Sequence, residues 1–200
     1  MAGNRGTLVL VVGPSGAGKD SVMTEAAKRL DGRVQFARRM VTRPSGPGEE
    51  HIAVSTAEFD RLAAEDRFCL SWTAHGQGYG ISRDYADLLA AGYPVVVNVS
   101  RTVIAAARQR LAPVLVVVID APPELRARRL AGRGRESAGD IARRLRRADE
   151  IPVSGDDVRT IVNAGDLADS VDDFVNILTS MLATEQFLQP ILNKYFTEVT

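Results

Sequence analysis

The chain is poor in the groups from which many enzymes build their centres. Cys69 is its only cysteine, which excludes an internal disulfide and any all-cysteine metal site. His51 and His75 are its only histidines, and two histidines without cysteines nearby make a poor metal site. They read instead as cleft walls or hydrogen-bonding partners, with His75, in AHGQGYG, the better sugar contact. No Ser-His-Asp or Cys-His arrangement suggests a nucleophile. An excess of one charge is also missing. Lys plus Arg and Asp plus Glu number 25 each, so no overall field points to nucleic acid. No apolar run approaches the roughly 20 residues of a membrane span. The opening MAGNRG leads straight into a strand-like run without a signal-peptide h-region, so a cytoplasmic protein with no membrane partner is expected.

What is present is an alternation of buried strands and helices. TLVLVV (7–12), PVVVNVS (94–100), APVLVVVIDA (112–121) and the shorter RTIVNAG (159–165) read as strands buried on both faces. Helical runs follow them, among them SVMTEAAKRLDG, closed by Gly32, and LADSVDDFVNILTSML. This pattern predicts an α/β, three-layer domain over residues 1–182 with a mainly parallel central sheet and ligands at the carboxyl ends of its strands. Two regions break the rhythm: about 36–91, with an arginine-rich start and a helix from about Thr56, and about 132–147. Long connections of this kind in compact domains carry function or lack order. Residues 183–200 form a C-terminal extension expected to be helical, interrupted by Pro190, docking on the domain or on a second subunit of a homodimer.

GPSGAGKDS (13–21) follows the first strand at the spacing of a phosphate-binding P-loop, G-x-x-x-x-G-K-[ST]. Glycines let such a loop curl until successive N–H groups, backed by a helix N-terminus, point at phosphate oxygens. Gly13, Pro14, Ser15, Gly16, Ala17 and Gly18 would form the cradle and Lys19 would reach the β- and γ-phosphates of ATP. Asp20 stands where the motif has a hydroxyl. A carboxylate beside a triphosphate is repelled unless Mg²⁺, which accepts carboxylate and phosphate oxygens together, lies between them. Asp20 is therefore the expected Mg²⁺ ligand. Ser21 is the weaker candidate, because one residue turns a helical side chain by roughly 100°.

Between Arg126 and Arg147 lie nine arginines and two acids, a local imbalance that calls for an anion. Arg133 and Arg135 sit in the glycine-flanked GRGRESAG, which suits a lid, and Arg144 is the third lid candidate. Phosphoryl transfer is catalysed by positioning and charge neutralisation, and arginines serve both.

With TRPSGPGEEH, SWTAHGQGYG and the GRGRES lid added, the layout resembles the guanylate kinase family over roughly residues 7–180. The resemblance implies that Arg43 and Tyr79 hold the acceptor's phosphate and that Asn163, after the last strand, touches the adenine. Three departures matter. Gly46 stands where that family has a second arginine. Ser71, before Trp72, and the strand end VNVS, with Asn98 and Ser100, stand where it has the acids that read guanine. A donor-rich base edge left without acceptors is strongly rejected. The set GPSGAGKD, TRP, EEH, SW-x-A-H-G, YG, N-x-SR and GRGRE is similar to that of the ribose 1,5-bisphosphate phosphokinases of phosphonate utilisation, in which the aspartate after the P-loop lysine is usual. That resemblance implies ATP-dependent conversion of ribose 1,5-bisphosphate to 5-phosphoribosyl 1-diphosphate, a small phosphorylated sugar being the partner. An acceptor with a phosphate at each end needs cations at each end. Arg43 and Tyr79 serve one, and Arg101, directly after the strand, is expected to serve the other, with Arg38 and Arg39 in reserve. Trp72 is expected to pack rather than to stack on a ligand. Guanylate kinase activity is the alternative. A non-catalytic binding module of the same fold is a third reading, disfavoured by the intact Lys19 and its glycines.

Overall fold

The computed structural model describes residues 5–30, 32–46, 50–74, 76–132 and 152–197, with residues 184–197 as backbone alone. Among these, the main sheet joins β1 (Leu8–Val12), β2 (Gln35–Phe36), β7 (Val95–Asn98), β8 (Val114–Asp120) and β9 (Val158–Val162). Its order is β2-β7-β1-β8-β9 and every pairing in it is parallel. The helices are α1 (Lys19–Leu30), α2 (Thr56–Ala64), α3 (Asp84–Ala90), α4 (Ile104–Arg110), α5 (Pro123–Gly132) and α6 (Leu167–Thr197).

The three layers follow from the period of two along β1. Leu8, Leu10 and Val12 point to one face, against Leu89 of α3, Ile104 and Ala107 of α4 and the residues Leu70 and Ile81. Val9 and Val11 point to the other, against Val22, Ala26 and Leu30 of α1 and Phe174 and Leu178 of α6. Val9, Val11, Val95, Val96 and Val117 are fully buried, as strands covered on both faces require. The chain runs from β1 to one flank of the sheet, and after β7 crosses to the other. The switch point therefore lies at β1, and the carboxyl ends of β1, β7, β8 and β9 share one rim.

Residues 36–91 contribute a second sheet, order β4-β3-β6-β5, made of β3 (Met40–Val41), β4 (Ile52–Ala53), β5 (Phe68–Ala74) and β6 (Gln77–Ser82). α6 continues past residue 182 and through Pro190 as one helix. No helix among the described residues is long and apolar enough to cross a membrane.

Candidate functional site

The P-loop leaves β1 at Gly13 and becomes α1 at Lys19. Two of its glycines are required by their surroundings as well as by their backbone. At Gly16 (φ +83°) a Cβ would come within 2.8 Å of Arg126 O, and at Gly18 (φ +88°) it would overlap Asn163 Nδ2. Lys19 Nζ donates to Gly13 O at 2.8 Å and Pro14 O at 3.0 Å, closing the loop on itself. The loop is thus a cradle with no room for side chains at these glycines and with a cation folded against it.

The loop is held from behind. Asn163, expected at the adenine, is 2 % exposed with both ends of its amide engaged: Nδ2 donates to Ala17 O at 2.8 Å and Oδ1 accepts from Ser170 Oγ at 3.2 Å. Its amide braces the loop from behind. Two arginines of α5 escaped the sequence reading. Arg129 Nη1 donates to Gly16 O and Ala17 O at 3.5 and 3.4 Å. Arg126 is 3 % exposed, and its Nε and Nη1 meet no acceptor among the described residues. The signal was available, because both fall within the arginine-rich run Arg126–Arg147, of which only about 132–147 was read as a lid.

One cleft runs from this loop to the second sheet. From the donor side it is lined by Gly13, Ser15, Gly16, Gly18, Lys19 and Asp20, and by Met23, Thr24 and Ala27 of α1. Asp20, Thr24 and Ala27 form one stripe of that helix. Ser21 is exposed and outside the cleft; the helical rotation that made it the weaker candidate turns it away. Thr24, one turn beyond Asp20, is the hydroxyl that faces in, and the i, i+4 rule could have found it. Asp20 Oδ1 accepts from Asn98 Nδ2 at 2.7 Å, so the last residue of β7 orients the carboxylate. The carboxylate of Asp20, the folded Lys19 and the glycine cradle together fit a nucleotide phosphate with a bridging divalent ion.

From the acceptor side the cleft is lined by Phe36, Ala37, Arg38, Arg39, Arg43, Glu50, Trp72, Ala74 and Tyr79, and by Asn98, Val99 and Ser100 after β7. Lys19, Arg38, Arg39 and Arg43 oppose Asp20 and Glu50, so a chain without net charge has a cationic cleft. Arg43 stands beyond β3 with Nη1 donating to Pro44 O at 3.2 Å. His51, 4 % exposed, fastens the backbone of that loop: its Nε2 lies 3.1 Å from Arg43 O, and Ser45 Oγ donates to His51 O at 2.9 Å. A carbonyl only accepts, so His51 carries its proton on Nε2. Thr42 ties β3 to β6, since Gly78 N donates to its Oγ1 at 2.8 Å.

Trp72 lies directly across from Tyr79 in the β5–β6 pairing, and their rings stack 5.2 Å apart at 6°. The Arg39 guanidinium carbon stands 5.9 Å from the Tyr79 ring centre. Trp72 thus packs on Tyr79, as expected of it, and joins the cleft wall.

Two of the expected residues stand outside this lining. Ser71 does not face the cleft: the period of two along β5 sends Trp72 and Ala74 inward and leaves Ser71 and Thr73 exposed. Arg101 does not line it either. After β7 the chain turns at once into a 3₁₀ helix, Arg101–Val103, capped by Ser100 Oγ, which accepts from Thr102 N at 3.3 Å and from Thr102 Oγ1 at 2.9 Å. Arg101 is half-buried on that turn. His75 and the lid candidates Arg133, Arg135 and Arg144 lie outside the described residues.

The guanylate kinase family model matches residues 5–185. The chain is 52% identical over 162 residues to the ribose 1,5-bisphosphate phosphokinase PhnN of Bradyrhizobium diazoefficiens, covering 80% of this chain and 81% of that protein. It is 45% identical over 177 residues to the protein of that name in Brucella melitensis biotype 2, covering 87% and 92%. Among solved structures it is similar to guanylate kinase from Anaplasma phagocytophilum, with TM-score 0.61, 20% identity and coverage of 88% and 86%. A gluconokinase from Sinorhizobium meliloti 1021 shares the fold with TM-score 0.53, 20% identity and coverage of 93% and 98%.

Proposed function

The chain belongs to the ribose 1,5-bisphosphate phosphokinases of the guanylate kinase family, and from that premise we propose how its cleft transfers the γ-phosphoryl group of ATP to ribose 1,5-bisphosphate. The products are ADP and 5-phosphoribosyl 1-diphosphate. The observation that carries the reading is a single cleft with a phosphate cradle at one end and Arg38, Arg39 and Arg43 at the other.

The nucleophile is an oxygen of the 1-phosphate, already anionic near neutral pH, so the site needs no general base. The new O–P bond forms as the bond between Pγ and the β–γ bridging oxygen breaks, and that oxygen leaves with ADP. Lys19 exchanges Gly13 O and Pro14 O for phosphate oxygens, and the P-loop N–H groups hold the donor. Arg43 and the hydroxyl of Tyr79 hold the 1-phosphate in line. Asp20, oriented by Asn98, would hold Mg²⁺ directly or through water, and that ion would neutralise charge between donor and acceptor. The lid arginines Arg133, Arg135 and Arg144 complete the neutralisation, and the reaction takes place in the cytoplasm. Of the positions where a purine reader carries acids, Asn98 and Ser100 line the cleft, and Asn98 has given one amide proton to Asp20.

An ADP-release assay across ribose 1,5-bisphosphate, GMP and other nucleoside monophosphates tests the proposal, with the product identified by phosphorus NMR. Ribose 1,5-bisphosphate should be preferred by several orders of magnitude, on the scale set by leaving buried polar groups unpaired. Equal turnover of GMP would sink it.

A further inference from the structure

Arg101 was the sequence-level candidate for the acceptor's second phosphate, and its removal from the cleft wall reopens the question. We propose that Arg39 binds the non-reacting 5-phosphate and that Trp72 and Tyr79 are the platform that aims it. This rests on the reading of the acceptor as ribose 1,5-bisphosphate.

β6 lies between β3 and β5, so Arg39, leading into β3, and Trp72, on β5, approach the Tyr79 ring from opposite flanking strands. The ring is stacked on Trp72, and the Arg39 guanidinium carbon stands over it, 5.9 Å from its centre. This has two consequences. A planar guanidinium lying over an aromatic face is held in orientation, and it loses less side-chain entropy when it captures a phosphate. The ring, stacked on Trp72 and approached by the guanidinium, offers the acceptor its hydroxyl. The Arg39 main chain is fixed as well, because its carbonyl accepts from Ile52 N at 2.8 Å.

Arg39 precedes β3 and Arg43 follows it, so this strand is the spacer between two phosphate-binding guanidinium groups. Arg43, followed in the chain by the loop His51 fastens, takes the reacting phosphate. Arg39 takes the one at the other end of the sugar. Arg38, though it lines the cleft, is exposed, and its main-chain N–H is given to Tyr85 Oη at 3.0 Å.

The test pairs the side chain with the group it is said to hold. Arg39→Met keeps the length of the stem and removes the charge, and Arg39→Lys restores charge without the planar fork. Each is assayed with ribose 1,5-bisphosphate and with ribose 1-phosphate, as substrate and as competing ligand, at fixed ATP. Arg39→Met should lose roughly 10- to 100-fold in kcat/KM on the bisphosphate, through KM, the range for a charged hydrogen bond. It should lose almost nothing on the monophosphate and leave the KM for ATP unchanged, and Arg39→Lys should recover part of the loss. If Arg39→Met, shown folded by its melting curve, keeps the wild-type preference between the two acceptors, the assignment is overturned while the reaction stands. A wild-type enzyme inactive on ribose 1,5-bisphosphate overturns the acceptor reading, and Arg39's role with it.

Discussion

At the donor end of the cleft the ligand meets mostly backbone, curled around glycines whose missing Cβ atoms are demanded by Arg126 and Asn163 behind them. At the acceptor end it meets side chains: arginines and an aromatic pair standing on a sheet two of whose strands are two residues long. The first construction fixes one geometry, that of a phosphate on a helix N-terminus. The second can exchange a purine reader for a phosphate reader by changing a few side chains, because the strands only set their spacing. On the proposed function, donor chemistry is held in the main chain here, and acceptor choice in what is mounted on it.

The largest effect that would test this contrast is at Lys19, the cation folded against the cradle. Lys19→Met should lower kcat by roughly 10²- to 10³-fold, the scale for removing a donor aimed at developing charge. ATP binding, followed by calorimetry, should change far less, because the cradle N–H groups remain. A matching collapse of ATP affinity would mean that the backbone contributes little. Next comes Gly18→Ala. Its Cβ would displace the Asn163 amide and free Ala17 O, in a backbone region that disfavours side chains. The cost of about 3 kcal/mol should lower the melting temperature by roughly 5–10 °C, read by calorimetry. A variant as stable as the wild type would show that the loop is not braced as described.

A smaller effect is expected on the acceptor side. Trp72→Ala removes the partner that holds Tyr79 upright, and such aromatic pairs are worth about 0.5–1.5 kcal/mol beyond their burial. The KM for the acceptor should rise roughly 3- to 10-fold, with the KM for ATP constant. If both constants moved together, the two ends would not be separable.

The same contrast explains what could be read from the sequence. TLVLVV, PVVVNVS and APVLVVVIDA announce themselves as strands because burial on both faces leaves no polar residue in them until the rim. The P-loop is legible because its chemistry lies in consecutive residues. The acceptor sheet was not legible: two-residue strands carry no period, and β2 was missed for the same reason. Arg101 was favoured because it follows a strand whose end lines the cleft, but the next step of the chain is a capped 3₁₀ turn. Arg39 was held in reserve because its place beside Tyr79 depends on the antiparallel register of Val41 with Tyr79, a pairing between distant segments. Ser71 was misplaced by ignoring an alternation that its neighbour Trp72 obeys.

The last prediction concerns stability and not turnover, and asks whether the acceptor sheet is a firm support. Cys69 lies on β5 with its Sγ–H directed at Ile81 O and Ser82 O, 3.5 and 3.4 Å away on β6. Burial pushes its thiol from the ordinary 9.0 up to about 11. The folded chain therefore favours the neutral thiol more than the unfolded chain does. The stabilisation this gives is fully present below pH 9.0 and is lost as pH rises towards about 11. Relative to Cys69→Ala, the wild type should lose at most about 2–3 kcal/mol across that window, measured by urea unfolding. A thiol reagent should label the native protein slowly at pH 8, and rapidly only after unfolding. Fast, complete labelling of the folded protein would mean that the β5–β6 hairpin opens readily. A hairpin that opens cannot hold Trp72 and Tyr79 in register, so the acceptor end would have to be assembled by the ligand rather than built in advance.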